Sequence, residues 1–243
     1  MFCNMKTSFT AALVLTLLTI SSAQAGELRL LAAGGYKKSI QAVLAAYQEQ
    51  TGQQTEAGYG NMRQVLSQAK LTGQAALVIG DEKFLRQEDI FASFQPIGEG
   101  KLVLAWAQGS PAISKAEDLT RPEVGRIAHP DKSKAIFGRA ATEWLRSNQL
   151  TEKLQAKLIQ AATVPQVSSY LVAKEVDAGF ISLTDAIGLG GKIGGYLLLP
   201  SGYEKIVIVA GILKGHENDA AAKEFLAFLT EPQAQHIFKE HGM

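Results

Sequence analysis

From residue 27 onward, short apolar runs alternate with amphipathic stretches in which apolar residues recur three or four positions apart. Residues 28–33 and 75–79 are predicted to form buried strands, and each run ends at a glycine, Gly34 or Gly80. A helical stripe follows the first of these runs, made of Ile40, Val43, Leu44 and Tyr47. Strand, turn and helix in this order are typical of an α/β fold, in which helices cover the faces of a sheet.

The same pattern continues through the second half of the chain. Further strands are predicted at residues 102–106, 126–128, 178–182 and 203–213. A helix between them carries Phe137, Ala140, Ala141 and Trp144 on its inward face. Residues 188–195 are predicted to form a glycine-rich connection, and two helices close the chain.

The first 25 residues have the layout of a secretory signal peptide. Lys6 is the only charged residue before a ten-residue apolar run, which is followed by Ala23-Gln24-Ala25. A retained membrane anchor is the weaker interpretation, because a span needs about 20 apolar residues. We therefore expect residues 1–25 to be removed and the protein to be periplasmic. Cys3 lies in this segment, so the mature chain would contain neither a disulfide nor a thiolate nucleophile.

The composition excludes several classes of protein. The chain is 47% hydrophobic, which excludes intrinsic disorder. It carries 24 Lys+Arg and 23 Asp+Glu, so loss of Lys6 leaves 23 of each sign. A balanced charge lacks the electrostatic footprint of a nucleic-acid-binding protein, and we expect no nucleic-acid partner.

The sequence shows few of the residue patterns expected of an enzyme. The sequence has no Gly-x-Ser-x-Gly motif, and its four histidines are scattered. The segment Gly190-Gly191-Lys192-Ile193 lacks the serine or threonine of a phosphate-binding loop. We therefore expect no catalytic residue, no cofactor and no metal site, and an exported hydrolase is the least favoured alternative.

Several segments together carry a family resemblance. They are the strand ending in Ala32-Ala33-Gly34-Gly35, the late strand opened by 177–180, and the closing segment 225–242. With the predicted export signal, the chain resembles the type II periplasmic solute-binding proteins, and within them the molybdate/tungstate-binding proteins of ABC importers, as a divergent member. The resemblance spans residues 27–243.

The resemblance implies a fold and a partner. Two α/β lobes with mixed sheets, flanked by helices and joined by a two-stranded hinge, would hold a small anionic ligand between them. The first lobe is expected at 26–103 plus 206–243 and the second at 104–205, with hinge strands at 102–107 and 203–209. The partner would be an ABC transporter permease, and we expect the protein itself to be a monomer.

The resemblance also implies a binding site at the strand ends, where helix N-termini present free backbone N–H groups to an oxyanion. A family serine falls on Gly35, with Tyr36 beside it, and a serine-rich family loop falls on 61–63. Backbone contacts fall on Ala135 and Val164, and a family tyrosine falls on Ser182. The predicted ligand-binding residues are Gly34, Gly35, Tyr36, Asn61, Met62, Arg63, Ala135, Val164 and Ser182.

Each of these residues also has a structural interpretation. Gly34-Gly35 could serve a tight turn with positive φ rather than close approach to a ligand. Met62 shares a helical stripe with core residues, and Asn61 could be a helix cap. Because the family hydroxyls are largely absent, an organic carboxylate held by Arg63 remains an alternative to an oxyanion.

Overall fold

The computed structural model describes residues 27–243, so the predicted signal peptide and Cys3 lie outside the described residues. The strands are β1 (Leu28–Ala33), β2 (Thr55–Gly60), β3 (Leu77–Asp81), β4 (Phe91–Gly100), β5 (Leu102–Trp106), β6 (Ile127–Pro130), β7 (Leu158–Ala161), β8 (Ala178–Ser182), β9 (Gly195–Leu198) and β10 (Ile206–Leu213). The helices are α1 (Lys37–Thr51), α2 (Met62–Thr72), α3 (Glu82–Leu85), α4 (Ile136–Ser147), α5 (Thr151–Leu154), α6 (Val164–Val172), α7 (Leu183–Leu189), α8 (Ala220–Leu229) and α9 (Pro232–Glu240). None of the helices within residues 27–243 has the length and apolar character that crossing a membrane requires.

The strands form two five-stranded mixed sheets. The first sheet has the order β2-β1-β3-β10-β4, in which β10 runs antiparallel to both of its neighbours. The second sheet has the order β7-β6-β8-β5-β9, in which β5 is the antiparallel strand. Helices follow the parallel strands, as the alternating pattern predicts.

The chain crosses between the sheets twice, at Lys101 and again between β9 and β10. Residues 102–106, predicted as part of the hinge, instead pair along their whole length with β8 in the second sheet. Residues 206–213 pair only within the first sheet. The first crossing therefore lies two or three residues before the predicted boundary, because β5 is a sheet strand and not a connector. The division into two lobes stays a prediction.

Each sheet has its own aromatic packing. Beside the first sheet, the ring of Tyr47 on α1 lies 5.1 Å from Phe225 and 5.3 Å from Phe228 between centroids. On the second sheet, Trp144 of α4 packs 5.5 Å from Phe180 of β8. Such contacts bury large apolar areas. The first set packs helix α1 against helix α8, and the second packs α4 against its own sheet.

Candidate functional site

A narrow cavity of about 20 Å³ lies between the two sheets, where strands end and helices begin. Ala33, Gly34, Gly35, Gly60, Asn61 and Met62 line it from the first sheet, and Ala135, Ile136, Phe137, Thr163 and Val164 line it from the second. Six of the nine predicted ligand-binding residues are among them. Tyr36, Arg63 and Ser182 are not.

Three helices begin at this cavity. Met62, Ile136 and Val164 are the first residues of α2, α4 and α6. The N–H groups of a first helical turn have no acceptor within the helix, and the helix dipole places partial positive charge there. The cavity therefore offers backbone donors from both sheets to a small anion.

The backbone N–H predicted to meet the ligand on α4, that of Ala135, is not free, and the free donors begin one residue later. The N–H of Ala135 donates to the carbonyl of Asp131 at 2.9 Å, so it is already engaged. The following N–H groups, on Ile136 and Phe137, are the first-turn donors of α4. Ala135 remains part of the cavity wall.

Asn61 is both a helix cap and a contact between the sheets. Its side chain accepts from the N–H of Gln64 at 2.9 Å, and the side chain of Gln64 accepts from the N–H of Asn61, which completes a capping box. The Asn61 amide also donates to the carbonyl of Ala162 at 3.4 Å. It thus connects the start of α2 to the loop before α6.

The glycines at the end of β1 serve close approach and not a left-handed turn. Neither Gly34 nor Gly35 has a positive φ, so that interpretation is wrong. A Cβ atom on Gly35 would lie 3.1 Å from the Phe137 ring and 3.4 Å from a methyl of Val164. Glycine at position 35 therefore lets α4 and α6 approach the first sheet.

Phe137 is one of five cavity residues that the sequence did not predict as site residues; the others are Ala33, Gly60, Ile136 and Thr163. The sequence places Phe137 on the inward face of its helix, but that face turns partly toward the other sheet, where the ring lies 5.6 Å from Tyr36. Phe137 is 1% exposed. A cavity of about 20 Å³ holds about one water molecule, so a four-oxygen anion requires movement of this ring or separation of the sheets.

Tyr36 and Met62 are core residues. Tyr36 is fully buried. Its hydroxyl packs against Gly100 and has no hydrogen-bond partner among the described residues. Burial raises the pKa of Tyr36 well above its ordinary value. Met62 is also fully buried and packs against Gly80, although it borders the cavity.

Arg63 and Ser182 were predicted to bind the ligand, but neither lines the cavity. Arg63 is exposed and lines grooves outside the cavity, beside Ser67. The Ser182 hydroxyl donates to the carbonyl of Gly35 at 2.7 Å and accepts from the N–H of Asp185 at 3.0 Å. Its single proton is therefore engaged by the opposite sheet and is not available to a ligand.

A buried ion pair near the cavity was not predicted either. Arg139 lies one turn beyond the start of α4 and pairs with Asp81 at the end of β3. The pKa of Asp81 is raised because the carboxyl is buried, and the guanidinium of Arg139 opposes this effect. Within residues 27–243 no group of three His, Cys, Asp or Glu side chains is arranged to hold a metal ion.

Comparison with known proteins places this geometry in a family. The family model described as bacterial extracellular solute-binding protein matches residues 28–243. The chain is 24% identical over 238 residues to the molybdate-binding protein ModA of Rhodobacter capsulatus, covering 95% of this chain and 93% of that protein. The match is therefore to nearly the whole length of both proteins.

Two solved structures show the same fold. The periplasmic molybdate-binding protein of Azotobacter vinelandii matches with a TM-score of 0.81 and 26% identity, covering 88% of this chain and 97% of the other. PEB3 of Campylobacter jejuni with bound L-phospholactate matches with a TM-score of 0.72 and 16% identity, covering 88% and 98%. The predicted type II periplasmic binding protein fold is confirmed, and the chain belongs to the family of bacterial extracellular solute-binding proteins.

Proposed function

We propose that this protein is the periplasmic solute-binding component of an ABC importer and captures a small oxyanion of the molybdate or tungstate type between two lobes. It would deliver the anion to a permease, as a monomer exported by its N-terminal segment. The proposal assigns it no catalytic residue.

One observation carries the proposal. Three helices of at least nine residues begin at a single cavity, and they come from both sheets. Backbone N–H groups at helix N-termini stabilise an anion without a neutralising side chain. This agrees with the balanced overall charge of the chain, since the site needs no cluster of lysines.

The relatives support the class of ligand. The Rhodobacter and Azotobacter proteins are named for molybdate, and both match this chain over nearly their whole length. Their identity to this chain is 24% and 26%, so the ligand is carried over here as a proposal.

The side chains of the cavity favour one alternative ligand, an organic carboxylate. Phe137, Met62 and Val164 present apolar atoms, and the Ser182 hydroxyl is engaged by Gly35. An apolar wall beside backbone donors suits an organic carboxylate better than a hydroxyl-lined site does. PEB3, which has the same fold, holds L-phospholactate.

Isothermal titration of the purified protein with molybdate, tungstate, sulfate, phosphate and small organic carboxylates decides between an inorganic oxyanion and an organic carboxylate as the ligand. We expect molybdate and tungstate to bind and Gly35→Val to abolish binding, because its side chain would overlap Phe137. Gly191→Val is the matched control, since a Cβ there meets nothing within 4 Å. Binding of carboxylates alone would favour the alternative, and no heat with any of these anions would overturn the proposal.

A further inference from the structure

A second, larger depression lies beside the narrow cavity between the two sheets, which we call the cleft cavity. This depression lies between one face of α1 and one face of α6. It has a volume of about 600 Å³, within the range of small-molecule sites. Lys37, Lys38 and Gln41 project into it from α1, and Pro165, Ser169 and Val172 project from α6. Both sets follow helical spacing, so each helix presents a single face. We call this depression the lysine groove.

The lysine groove is positively charged. Lys192 joins Lys37 and Lys38 in its lining, whereas Asp185 is its one carboxylate. Asp185 is 7% exposed and accepts a hydrogen bond from the Ser168 hydroxyl. Among residues 27–243, none of these three lysines lies within 4.0 Å of a carboxylate. The Lys37 ammonium lies 5.5 Å from the centroid of the Tyr59 ring on β2, which does not line the groove. Lys38 and Lys192 against the single carboxylate of Asp185 therefore leave an excess of one positive charge.

The remaining wall is apolar. Val172, the last residue of α6, is 40% exposed, and Leu189, which lines the same groove, is partly buried. Pro165 forms the bottom, where it packs against Gly34. A cationic rim over an apolar floor is the arrangement that recognises an amphipathic anion.

The two walls come from different sheets. Lys38 on α1 extends over Gly188 of α7, and Gly34 meets Pro165 of α6. A molecule in the lysine groove therefore touches elements that follow strands of both sheets. The cleft cavity is a separate space that shares only Gly34 with the groove.

We propose that the lysine groove is a second binding site, for a small organic anion with an apolar body, such as an aromatic or medium-chain carboxylate. The carboxylate is met by Lys38 and Lys192, and the apolar body covers Pro165, Val172 and Leu189. The proposal does not depend on which solute the cleft cavity takes.

Titration calorimetry with 2-naphthoate, and with 2-naphthamide as its neutral counterpart, tests the site. We expect 2-naphthoate to bind and 2-naphthamide to bind more weakly. The double variant Lys38→Gln/Lys192→Gln should weaken 2-naphthoate binding between about twofold and thirtyfold, the effect of losing two partly exposed ion pairs. Lys223→Gln/Lys239→Gln, which changes two lysines outside the groove, should leave the affinity unchanged.

Two single variants test whether 2-naphthoate binds in the lysine groove. Val172→Trp fills the groove without changing charge and should abolish 2-naphthoate binding. Ile136→Phe, which fills the cleft cavity from α4, a helix that does not line the groove, should retain it. Equal affinity for the amide, full binding to Val172→Trp, loss of binding in Ile136→Phe, or no binding of 2-naphthoate at all would each overturn the proposal.

Discussion

Arg139 donates from Nη2 to Oδ2 of Asp81 across 2.7 Å, and this contact joins helix α4 of the second sheet to strand β3 of the first. The two side chains are 16% and 2% exposed. Glu204, in the crossing between the sheets, accepts from Nη1 of the same guanidinium at 3.0 Å. The sheets are thus held together by a buried charge pair as well as by the cavity walls.

Replacing Arg139 by glutamine should lower the free energy of unfolding by about 3 kcal/mol, because Asp81 would be left buried without its counter-ion. Urea unfolding measures the change. Lys205→Gln is the control, since Lys205 and Glu99 form an exposed pair with 65% and 52% exposed side chains, and its loss should cost under about 1 kcal/mol. Similar costs for the two variants would show that the buried pair adds nothing.

Ser182→Ala should cost more than Thr163→Ala, although each removes a helix cap. Thr163 accepts only from the N–H of Gln166, and its loss should cost about 1 kcal/mol. Loss of the Ser182 hydroxyl also leaves the buried Gly35 carbonyl without its donor, which should add about 1 kcal/mol or more. Equal costs in thermal or urea unfolding would contradict a stabilising contact between the sheets.

Tyr203→Phe should destabilise the protein, whereas Tyr36→Phe should not. The Tyr36 hydroxyl is buried without a partner in the described part of the chain, so its removal should be neutral or stabilising by up to about 1 kcal/mol. The Tyr203 hydroxyl accepts from the N–H of Leu102 at 3.0 Å, so its removal should destabilise by about 1 kcal/mol. Marked destabilisation by Tyr36→Phe would reveal a partner for its hydroxyl.

Asp131 predicts a pH dependence of stability. A hydrogen bond from Lys134 and two from Ser133 lower the pKa of this carboxyl to about 2, from an ordinary value of 3.8. A lowered folded-state pKa means that the contribution is complete above pH 3.8 and is lost as the pH falls toward 2. Wild type should therefore exceed Asp131→Asn by about 1 kcal/mol at pH 6, with the difference shrinking below pH 4. A difference that does not change with pH would contradict this assignment.

Position 35 offers a test by gain of affinity. The family resemblance places a serine there, but in this chain the Phe137 ring occupies the space. Gly35→Ser alone should weaken molybdate binding, whereas Gly35→Ser/Phe137→Val supplies both a hydroxyl and room for it. One hydrogen bond to a charged ligand should then raise the affinity about tenfold or more. A double variant no tighter than wild type in calorimetry would count against an oxyanion in this cavity.

Parts of the fold could be predicted closely from the sequence. Strands β1 and β8 have the predicted bounds, because mostly apolar runs in a buried sheet end sharply at a glycine or at a helix cap. Strands β4 and β9 were missed, and both lie at sheet edges. An edge strand tolerates exposed polar residues, Pro96 at a register shift and Gly195, so its pattern resembles that of a loop.

The lining of the cavity between the sheets could be predicted where it depends on backbone position. Gly35, Asn61 and Val164 could be placed because strand ends and helix starts leave local signals in the sequence. The Phe137 ring and the pair of Arg139 with Asp81 could not, since both depend on how two sheets face each other. Nothing in a helical stripe says which of its buried residues meets the opposite sheet.

The most direct measurement is anomalous diffraction at the tungsten edge from crystals of the protein grown with tungstate. We expect one strong peak in the cavity between Gly35, Met62, Ile136 and Val164, at hydrogen-bonding distance from the first N–H groups of α2, α4 and α6. A peak elsewhere on the surface, or no peak in crystals that contain the folded protein, would contradict capture of an oxyanion by these helix N-termini.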